Sequence, residues 1–387
     1  MDLYLKHQRS RYLRGNRAVK KQMLDEFCDT HGYHRKSATR LLNQFPIPDK
    51  SPRKPGKNKQ YKPEILLEPL KTLWLATDQM CGKRLKQALP LWLAHYDKHF
   101  DKLPEPVYMQ LLTMSAATID RLLKPIKTRY EKGLSGTKPG SLLKTQIPIN
   151  TDQWDIKKVG FMEADTVAHC GTSLIGDFVW SLTLTDIASG WTENRATWNK
   201  GAAGVIEQIK HIEASLPFPI LGFDSDNGSE FLNYHLLRYF TERPNQQAVQ
   251  FTRSRPYKKN DNAHVEQKNW THVRQLLGYH RFDNMKIVPL MNDLYANELS
   301  LLSNFFYPCI KLTNKVRIKS SIKKTYDIPQ TPYQRLMAST CLTQERKYAL
   351  EEKFNTLDPF LLQKIIQSKL KSIFRYVDIL NKPRKAI

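Results

Sequence analysis

The fold is decided by the stretch VGFMEADTVAH, residues 159–169, in which apolar and polar side chains alternate. An alternation with a period of two predicts a half-buried β-strand. Two further strand-like runs follow at 177–187 and 191–198, and short turns that contain Gly and Ser separate all three. The opening of this region is therefore predicted to be a set of antiparallel hairpins.

The pattern changes after residue 198. We expect a helix at 202–215, a strand at 219–227, a helix at 229–241, a strand at 247–254 and a helix from about 261 to 277. Strands that are connected through helices form parallel pairs. The predicted domain, residues 155–290, is a mixed α/β sheet flanked by helices.

Three acidic residues stand at informative places in this order. Asp165 interrupts the apolar positions of the first strand, Asp226 follows the fourth strand, and Glu266 lies in the last helix. Ligand sites in open α/β sheets form beyond the carboxyl ends of parallel strands, where Asp226 would lie. If the first and fourth strands are neighbours, Asp165 and Asp226 can share a metal, and Glu266 would close the site from the helix. Isolated carboxylates are otherwise surface charges or helix caps.

Several carboxylates without cysteine suit Mg²⁺ or Mn²⁺ rather than zinc. Two such ions support in-line displacement at a phosphodiester.

Two neighbouring acids leave alternatives open. Asp224 lies on the same side of an extended strand as Asp226, and Glu163 on the same side as Asp165. Asp226 is preferred because Asn227 and Gly228 supply a tight turn there, and Glu163 is interpreted as a supporting residue.

The regions outside the core are helical or linker-like. Residues 1–45 predict a helix-turn-helix whose second helix, 34–43, presents Arg35, Lys36 and Arg40 to DNA; a helical hairpin with a solvated basic face is the alternative. Residues 46–60 and 126–154 are rich in Pro, Gly and Lys and predict linkers. Between them, 61–125 predicts a second helical DNA-binding domain with Arg121 on a candidate recognition helix.

Net charge separates the core from its flanks. The chain of 387 residues has a net charge of +24, and the core (155–290) has as many acidic as basic residues. Residues 1–154 contribute +15 and residues 311–387 contribute +11. Basic regions around a neutral domain favour a polyanionic partner such as nucleic acid. No apolar run reaches the length of a membrane span, so neither a membrane partner nor a membrane location is expected.

The three acids and their surroundings resemble the Asp-Asp-Glu core of retroviral integrases and bacterial insertion-sequence transposases. The run SRPYKKNDNAHVEQKN, residues 254–269, is particularly similar to the transposases. The resemblance implies a ribonuclease H-like fold, catalytic and metal-binding roles for Asp165, Asp226 and Glu266, and DNA cleavage and joining with two Mg²⁺ (or Mn²⁺) ions. The spacing from Asp226 to Glu266 is longer than in retroviral integrases, which favours the bacterial transposases.

Further DNA contacts are expected around the last helix. Lys258 and Lys259 precede it beside an aromatic residue, Tyr257, a combination that suits an unpaired DNA end; a solvated basic loop is the alternative. Asn269 would face the same cleft as Glu266, one helical turn away. Retroviral integrases have two lysines after the Glu, where this chain has Trp270 and Val273, and Lys268 and Arg274 are the candidate substitutes.

The sequence thus predicts a multidomain protein. An all-α helix-turn-helix region and a second helical domain precede a ribonuclease H-like core, and a basic, mostly helical C-terminal region occupies 291–387. The expected function is that of a transposase or integrase that acts on element ends and target DNA as a homo-oligomer, in the cytoplasm and associated with the nucleoid. The alternatives are a nuclease that cuts without joining and a DNA-binding regulator without catalysis.

Overall fold

The structure, a computed structural model, describes residues 2–44, 60–127, 158–225, 230–231, 233–243, 247–253, 263–318 and 321–381. The chain divides into two compact units, Met1–Gln60 and Tyr61–Ile387. The predicted linker at 46–60 lies outside the described residues except for Gln60, and the linker at 126–154 except for its first two residues.

The first unit is a small three-helix domain. Its helices are α1 (Asp2–Arg14), α2 (Arg17–His31) and α3 (Arg35–Leu42). The Asn16 side chain accepts a hydrogen bond from the Val19 amide and caps the start of α2. Gly32 ends α2 with a φ of 65°, a left-handed conformation that favours glycine. The sequence predicted α2 and α3 but not α1.

The three helices share one apolar core. Its buried side chains come from all three helices and are Tyr12, Met23, Leu24, Phe27, Ala38 and Leu42. Ala38 and Leu42 of α3 are fully buried, and Leu41 packs against the core from a partly buried position. The opposite face of α3 is left to its polar and basic side chains.

The second unit contains a five-stranded mixed sheet. Its strands are β1 (Phe161–Ala168), β2 (Val179–Asp186), β3 (Thr192–Trp198), β4 (Gly222–Ser225) and β5 (Gln250–Arg253). Their order across the sheet is β3-β2-β1-β4-β5. The pairs β1/β2 and β2/β3 are antiparallel, and β1/β4 and β4/β5 are parallel. The predicted mixed α/β sheet and the adjacency of the first and fourth strands are confirmed.

Helices connect and cover the strands. They are α8 (Ala202–Ser215), α9 (Tyr234–Thr241), α10 (Ala263–Lys268), α11 (Gln275–Leu277), α12 (Ile287–Leu294) and α13 (Ser300–Phe306). Two segments are π-helical, Asn269–Arg274 between α10 and α11, and Tyr295–Leu299 between α12 and α13. The predicted last helix of the core is therefore interrupted by a π-helical segment, which changes the faces that its side chains occupy.

The helices before the core belong to the same compact unit as the sheet. They are α4 (Pro63–Ala76), α5 (Gly82–Tyr96), α6 (Glu105–Thr113) and α7 (Ala116–Lys127), and their buried residues join the hydrophobic cluster that includes the sheet. Trp92 of α5 is fully buried and donates to the Phe306 carbonyl of α13 across 3.4 Å. Residues 61–125 and the sheet thus lie in one compact unit and share apolar burial.

The C-terminal region combines helices with a β-ribbon. It contains β6 (Leu312–Ile318), β7 (Ser321–Tyr326), α14 (Pro332–Ala338), α15 (Gln344–Asn355) and α16 (Pro359–Asn381). Helices α14 to α16 agree with the predicted, mostly helical character of this region. The antiparallel pair of β6 and β7 was not predicted. Of the described helices, not one combines the length and the apolar character that a membrane crossing requires.

Candidate active site

Asp165 lies in the middle of β1 and is half-buried. Its Oδ1 accepts a hydrogen bond from the Thr166 amide at 2.8 Å, and its Oδ2 accepts one from Asn269 Nδ2 at 2.7 Å. Asn269 begins the π-helical segment that follows α10. Hydrogen bonds to the charged form of a carboxylate stabilise that form. The bond from Asn269 also orients the Asp165 carboxylate and connects the π-helical segment to β1.

Two buried acids lie next to Asp165 in the sheet. Glu163 of β1 and Asp224 of β4 are register partners, and both are nearly fully buried, at 3% and 4% exposure. Glu163 Oε2 accepts from the Val265 amide of α10 at 3.1 Å, and Asp224 Oδ1 accepts from Thr252 Oγ1 of β5 at 2.6 Å. Both carboxylates are thus used to join secondary-structure elements.

The register between β1 and β4 defines where Asp165 lies relative to the fourth strand. The last described pair is Ala164 with Ser225, and the next residues in the sequence are Asp165 and Asp226. Asp226 itself lies outside the described residues. The described part of the site therefore brings β1, the end of β4 and α10 together.

Glu266 is exposed on α10, one residue after Val265, whose amide is bonded to Glu163. Asn269 is buried, at 7% exposure, and its Oδ1 has no hydrogen-bond partner among the described residues. The sequence predicted that Asn269 lines the cleft as a DNA contact. In the structure its amide contacts the Asp165 carboxylate instead, so its described role is to position that carboxylate.

Two of the predicted DNA-contacting cations are engaged within the protein. The Lys268 ammonium is desolvated near Arg84 and Arg335, and burial lowers its pKa. Arg274 donates to the carbonyls of Ala168, at 2.9 Å, and Gly278, at 3.3 Å, and desolvation lowers its pKa. Arg274 lies at the end of the π-helical segment, which adds residues to each turn and redirects its side chain relative to a continuous α-helix. Lys268 precedes this segment.

The other residues predicted to contact DNA lie on α3, on α7 or outside the described residues. Arg35, Lys36 and Arg40 are exposed on α3, and Arg35 forms an ion pair with Asp25. Arg121 is exposed on α7. Lys258 and Lys259 lie outside the described residues.

Sequence reasoning missed one buried acid close to the site. Glu230 is 1% exposed, accepts from Thr166 Oγ1 at 3.1 Å and pairs with Lys200 Nζ at 2.7 Å. Its other carboxylate oxygen, Oε2, has no partner among the described residues. Thr166 follows Asp165 and lies on the opposite face of β1. Glu230 therefore contacts the face of the strand that Asp165 does not occupy.

The described residues alone do not form a metal centre. Among them, no group of three or more His, Cys, Asp or Glu side chains is arranged to hold a metal ion. Asp165 contributes a half-buried hard oxygen donor, which is the ligand type that Mg²⁺ takes. The donor chemistry fits such an ion only together with the predicted ligand Asp226.

Two solved structures that contain an integrase are similar to this chain at low sequence identity. No family model matches the chain. The catalytic core domain of HTLV-2 integrase in complex with magnesium (dimeric form) is 14% identical, with 43% of this chain and 92% of that chain covered and a TM-score of 0.28. The simian T-cell lymphotropic virus intasome in complex with PP2A regulatory subunit B56 gamma gives 13% identity, 62% and 72% coverage, and a TM-score of 0.32.

A relative in Sinorhizobium fredii (strain NBRC 101917 / NGR234) is similar over most of its length. This relative, the uncharacterized protein y4rM, is 38% identical over 333 residues, which cover 84% of this chain and 91% of y4rM. The matched length exceeds the sheet domain and must include regions on at least one side of it. The chain therefore belongs to the protein family of y4rM.

Proposed function

We propose that this chain is a metal-dependent DNA strand-transfer enzyme of the transposase and integrase type, with a ribonuclease H-like core. Asp165, Asp226 and Glu266 are its catalytic carboxylates. The observation that carries the proposal is the junction between β1 and α10, where Asn269 Nδ2 lies 2.7 Å from Asp165 Oδ2 and the helix that contains Glu266 is capped by Glu163. This junction between strand and helix supports the proposal that Asp165 and Glu266 act at one site.

The same three carboxylates would hold two Mg²⁺ (or Mn²⁺) ions. Bound ions would supply activation of an attacking oxygen and stabilisation of the leaving oxygen at a phosphodiester. The adjacency of β1 and β4 supports this assignment, since Ala164 pairs with Ser225 and an Asp follows each of them in the sequence. Asp224 is less suited, because Thr252 already bonds its buried carboxylate.

The residues around the acids hold the site in shape. The Asn269 amide fixes the orientation of the Asp165 carboxylate, and Glu163 holds the first turn of α10 against β1. Precise placement of ligands by neighbouring hydrogen bonds maintains metal affinity. These two residues are therefore positioning residues, and neither is proposed to contact the reacting atoms.

DNA is the proposed partner. The exposed basic residues Arg35, Lys36 and Arg40 of α3 and Arg121 of α7 are suited to phosphate or base-edge contacts at element ends. The proposal retains Lys258 and Lys259 as candidates from the sequence, and it no longer includes Lys268 and Arg274. Both ends of an element must be processed together, so we propose that the chain acts on DNA as a homo-oligomer.

The test uses labelled duplexes that carry the terminal repeats of the DNA segment encoding the chain, incubated with Mg²⁺ and a target plasmid. Wild-type protein should release the 3′ end and join it to the plasmid. Asp165→Asn and Asp226→Asn should each reduce both products at least about a thousandfold, because loss of a metal ligand removes several kcal/mol of transition-state stabilisation. Asp177→Asn, at an exposed position before β2, is the matched control and should retain activity.

Three other outcomes would contradict the proposal. Cleavage without joined products would identify a nuclease. Sequence-specific binding without cleavage would identify a regulator. Equal activity of the wild type and both Asp variants would show that the carboxylates are not catalytic.

A further inference from the structure

The sequence of the β6/β7 ribbon is strongly basic. Residues 311–326 contain six basic side chains, and no acidic residue occurs from 299 to 326. Lys323 and Lys324 of β7 are exposed. Val316 and Tyr326 are exposed at 46% and 49%, so apolar and aromatic side chains are interleaved with the cations.

The base of the ribbon is firmly attached to the sheet domain. Lys311 Nζ donates to the carbonyls of Ile187 and Ala188 in the β2/β3 turn. The Lys311 amide donates to Asp327 Oδ1 at 2.7 Å, and Asp327 pairs with Arg335 of α14 at 2.7 Å. Asp327 is therefore neutralised locally by Arg335, and it does not offset the charge of the strands.

The ribbon is a separate two-stranded sheet. Its exposed residues Val316 and Lys323 are register partners across the two strands. A two-stranded ribbon has little stability of its own, and a polyanion bound along it would stabilise it through the exposed lysines Lys323 and Lys324.

The attachment point also defines where such a partner would lie. Ile187 donates its amide to the Phe161 carbonyl at the amino end of β1. Asp165 is four residues further along the strand, which corresponds to about 13 Å. The ribbon thus begins at the end of the sheet opposite to Ala168, at a distance from the proposed catalytic carboxylates.

We propose that the β6/β7 ribbon is a contact surface for the phosphate backbone of double-stranded DNA, separate from the catalytic site. The inference rests on the proposed function, which supplies DNA as the partner, and it adds a second contact region to it. A two-stranded antiparallel ribbon is one of the elements that enter DNA grooves. The ribbon contacts duplex that flanks the cleavage site, and Lys323 and Lys324 contribute phosphate contacts.

The test measures binding of the full chain to a fluorescent duplex of arbitrary sequence by anisotropy, at salt concentrations between about 50 and 200 mM. The double variant Lys323→Gln/Lys324→Gln should bind roughly tenfold or more weakly near 0.1 M salt. Loss of two phosphate contacts should also reduce the slope of log affinity against log salt by about 2. The matched control is Lys353→Gln/Lys364→Gln, which removes the same charge from exposed positions on α15 and α16.

The outcomes distinguish this inference from the proposed function. Equal affinity and equal slope of the ribbon variant and the control variant would overturn the ribbon contact, even if the wild type cleaves and joins DNA. Weaker binding of the ribbon variant alone would support the contact, even if no cleavage occurs and the proposed catalysis fails. Absence of any DNA binding by the wild type would overturn both.

Discussion

His169, immediately after β1, is fully buried beside the proposed site. Its Nε2 lies 2.8 Å from Ser181 Oγ, which in turn lies 2.8 Å from Tyr295 Oη, and its ring stacks on Phe282. Its Nδ1 has no partner among the described residues. Burial, together with the nearby Arg274 guanidinium, lowers the pKa of His169 to about 3. His169 is therefore neutral in the folded protein.

This lowered pKa predicts a loss of stability in mild acid. Below about pH 6.5 the unfolded chain binds a proton at His169 and the folded chain does not, so unfolding becomes more favourable as pH falls. The free energy of unfolding should decrease by about 2 kcal/mol from this residue between about pH 7 and 5. Chemical denaturation of wild type and His169→Gln at both pH values measures the difference.

The comparison concerns the pH dependence and not the absolute stability, because His169→Gln also changes packing. His211 is exposed on α8, and His211→Gln should retain the wild-type dependence. His272 is buried and its pKa is also lowered by desolvation, so some dependence should remain in the His169 variant. A His169→Gln protein with the full wild-type dependence would contradict the assigned pKa.

At the scale of elements, α10 is attached to β1 at both of its ends. The Val265 amide near its start is bonded to Glu163, and Asn269, directly after its end, is bonded to Asp165. Helix α10 has only six residues, and a helix so short has little stability by itself. Its position over the strand therefore depends on these two bonds and on the burial of Val265.

The change Asn269→Ala tests this attachment. A hydrogen bond to a charged group contributes about 1.5 to 3 kcal/mol. Removal of the buried and unpartnered Oδ1 offsets part of the loss, so the free energy of unfolding should decrease by about 1 kcal/mol or more. Hydrogen exchange of the amides in 263–277 should accelerate. Gln267→Ala, at an exposed position of α10, is the control, and equal exchange in the two variants would contradict the role of Asn269.

The elements that could be predicted from sequence are those with a strong local period. The helix predicted at 202–215 has these bounds in the structure, and β1 to β3 were predicted from alternation. The π-helical segment was not predictable, because no local pattern distinguishes it from an α-helix, and its tertiary contacts select it. The sequence therefore did not indicate that the Arg274 guanidinium, at the end of this segment, bonds to the carbonyls of Ala168 and Gly278. The catalytic role of Asp165 remains a prediction.

In the molecule as a whole, the unit from Tyr61 to Ile387 is stabilised by one continuous apolar core. The Trp92 ring of α5 packs edge-on against Phe360 of α16, with 4.9 Å between ring centroids. Nearby, His99 Nε2 lies 2.9 Å from Asp358 Oδ2. The sequence predicted a separate helical domain because stretches rich in Pro, Gly and Lys indicate linkers on both sides of it. No local pattern in the sequence indicates that Trp92 contacts Phe360, which lies 268 positions further along the chain.

The change Trp92→Ala should therefore destabilise the sheet as well as the helices. Truncation of a fully buried Trp costs about 3 to 5 kcal/mol. If α4–α7 and the sheet unfold as one unit, hydrogen exchange of the most protected amides in α5 and in β1 should accelerate by the same factor, since both exchange through the same global opening. Met109→Ala removes an exposed side chain of α6 and should leave both rates unchanged. Faster exchange confined to 63–127, with β1 at its wild-type rate, would show that the helices are an independent domain.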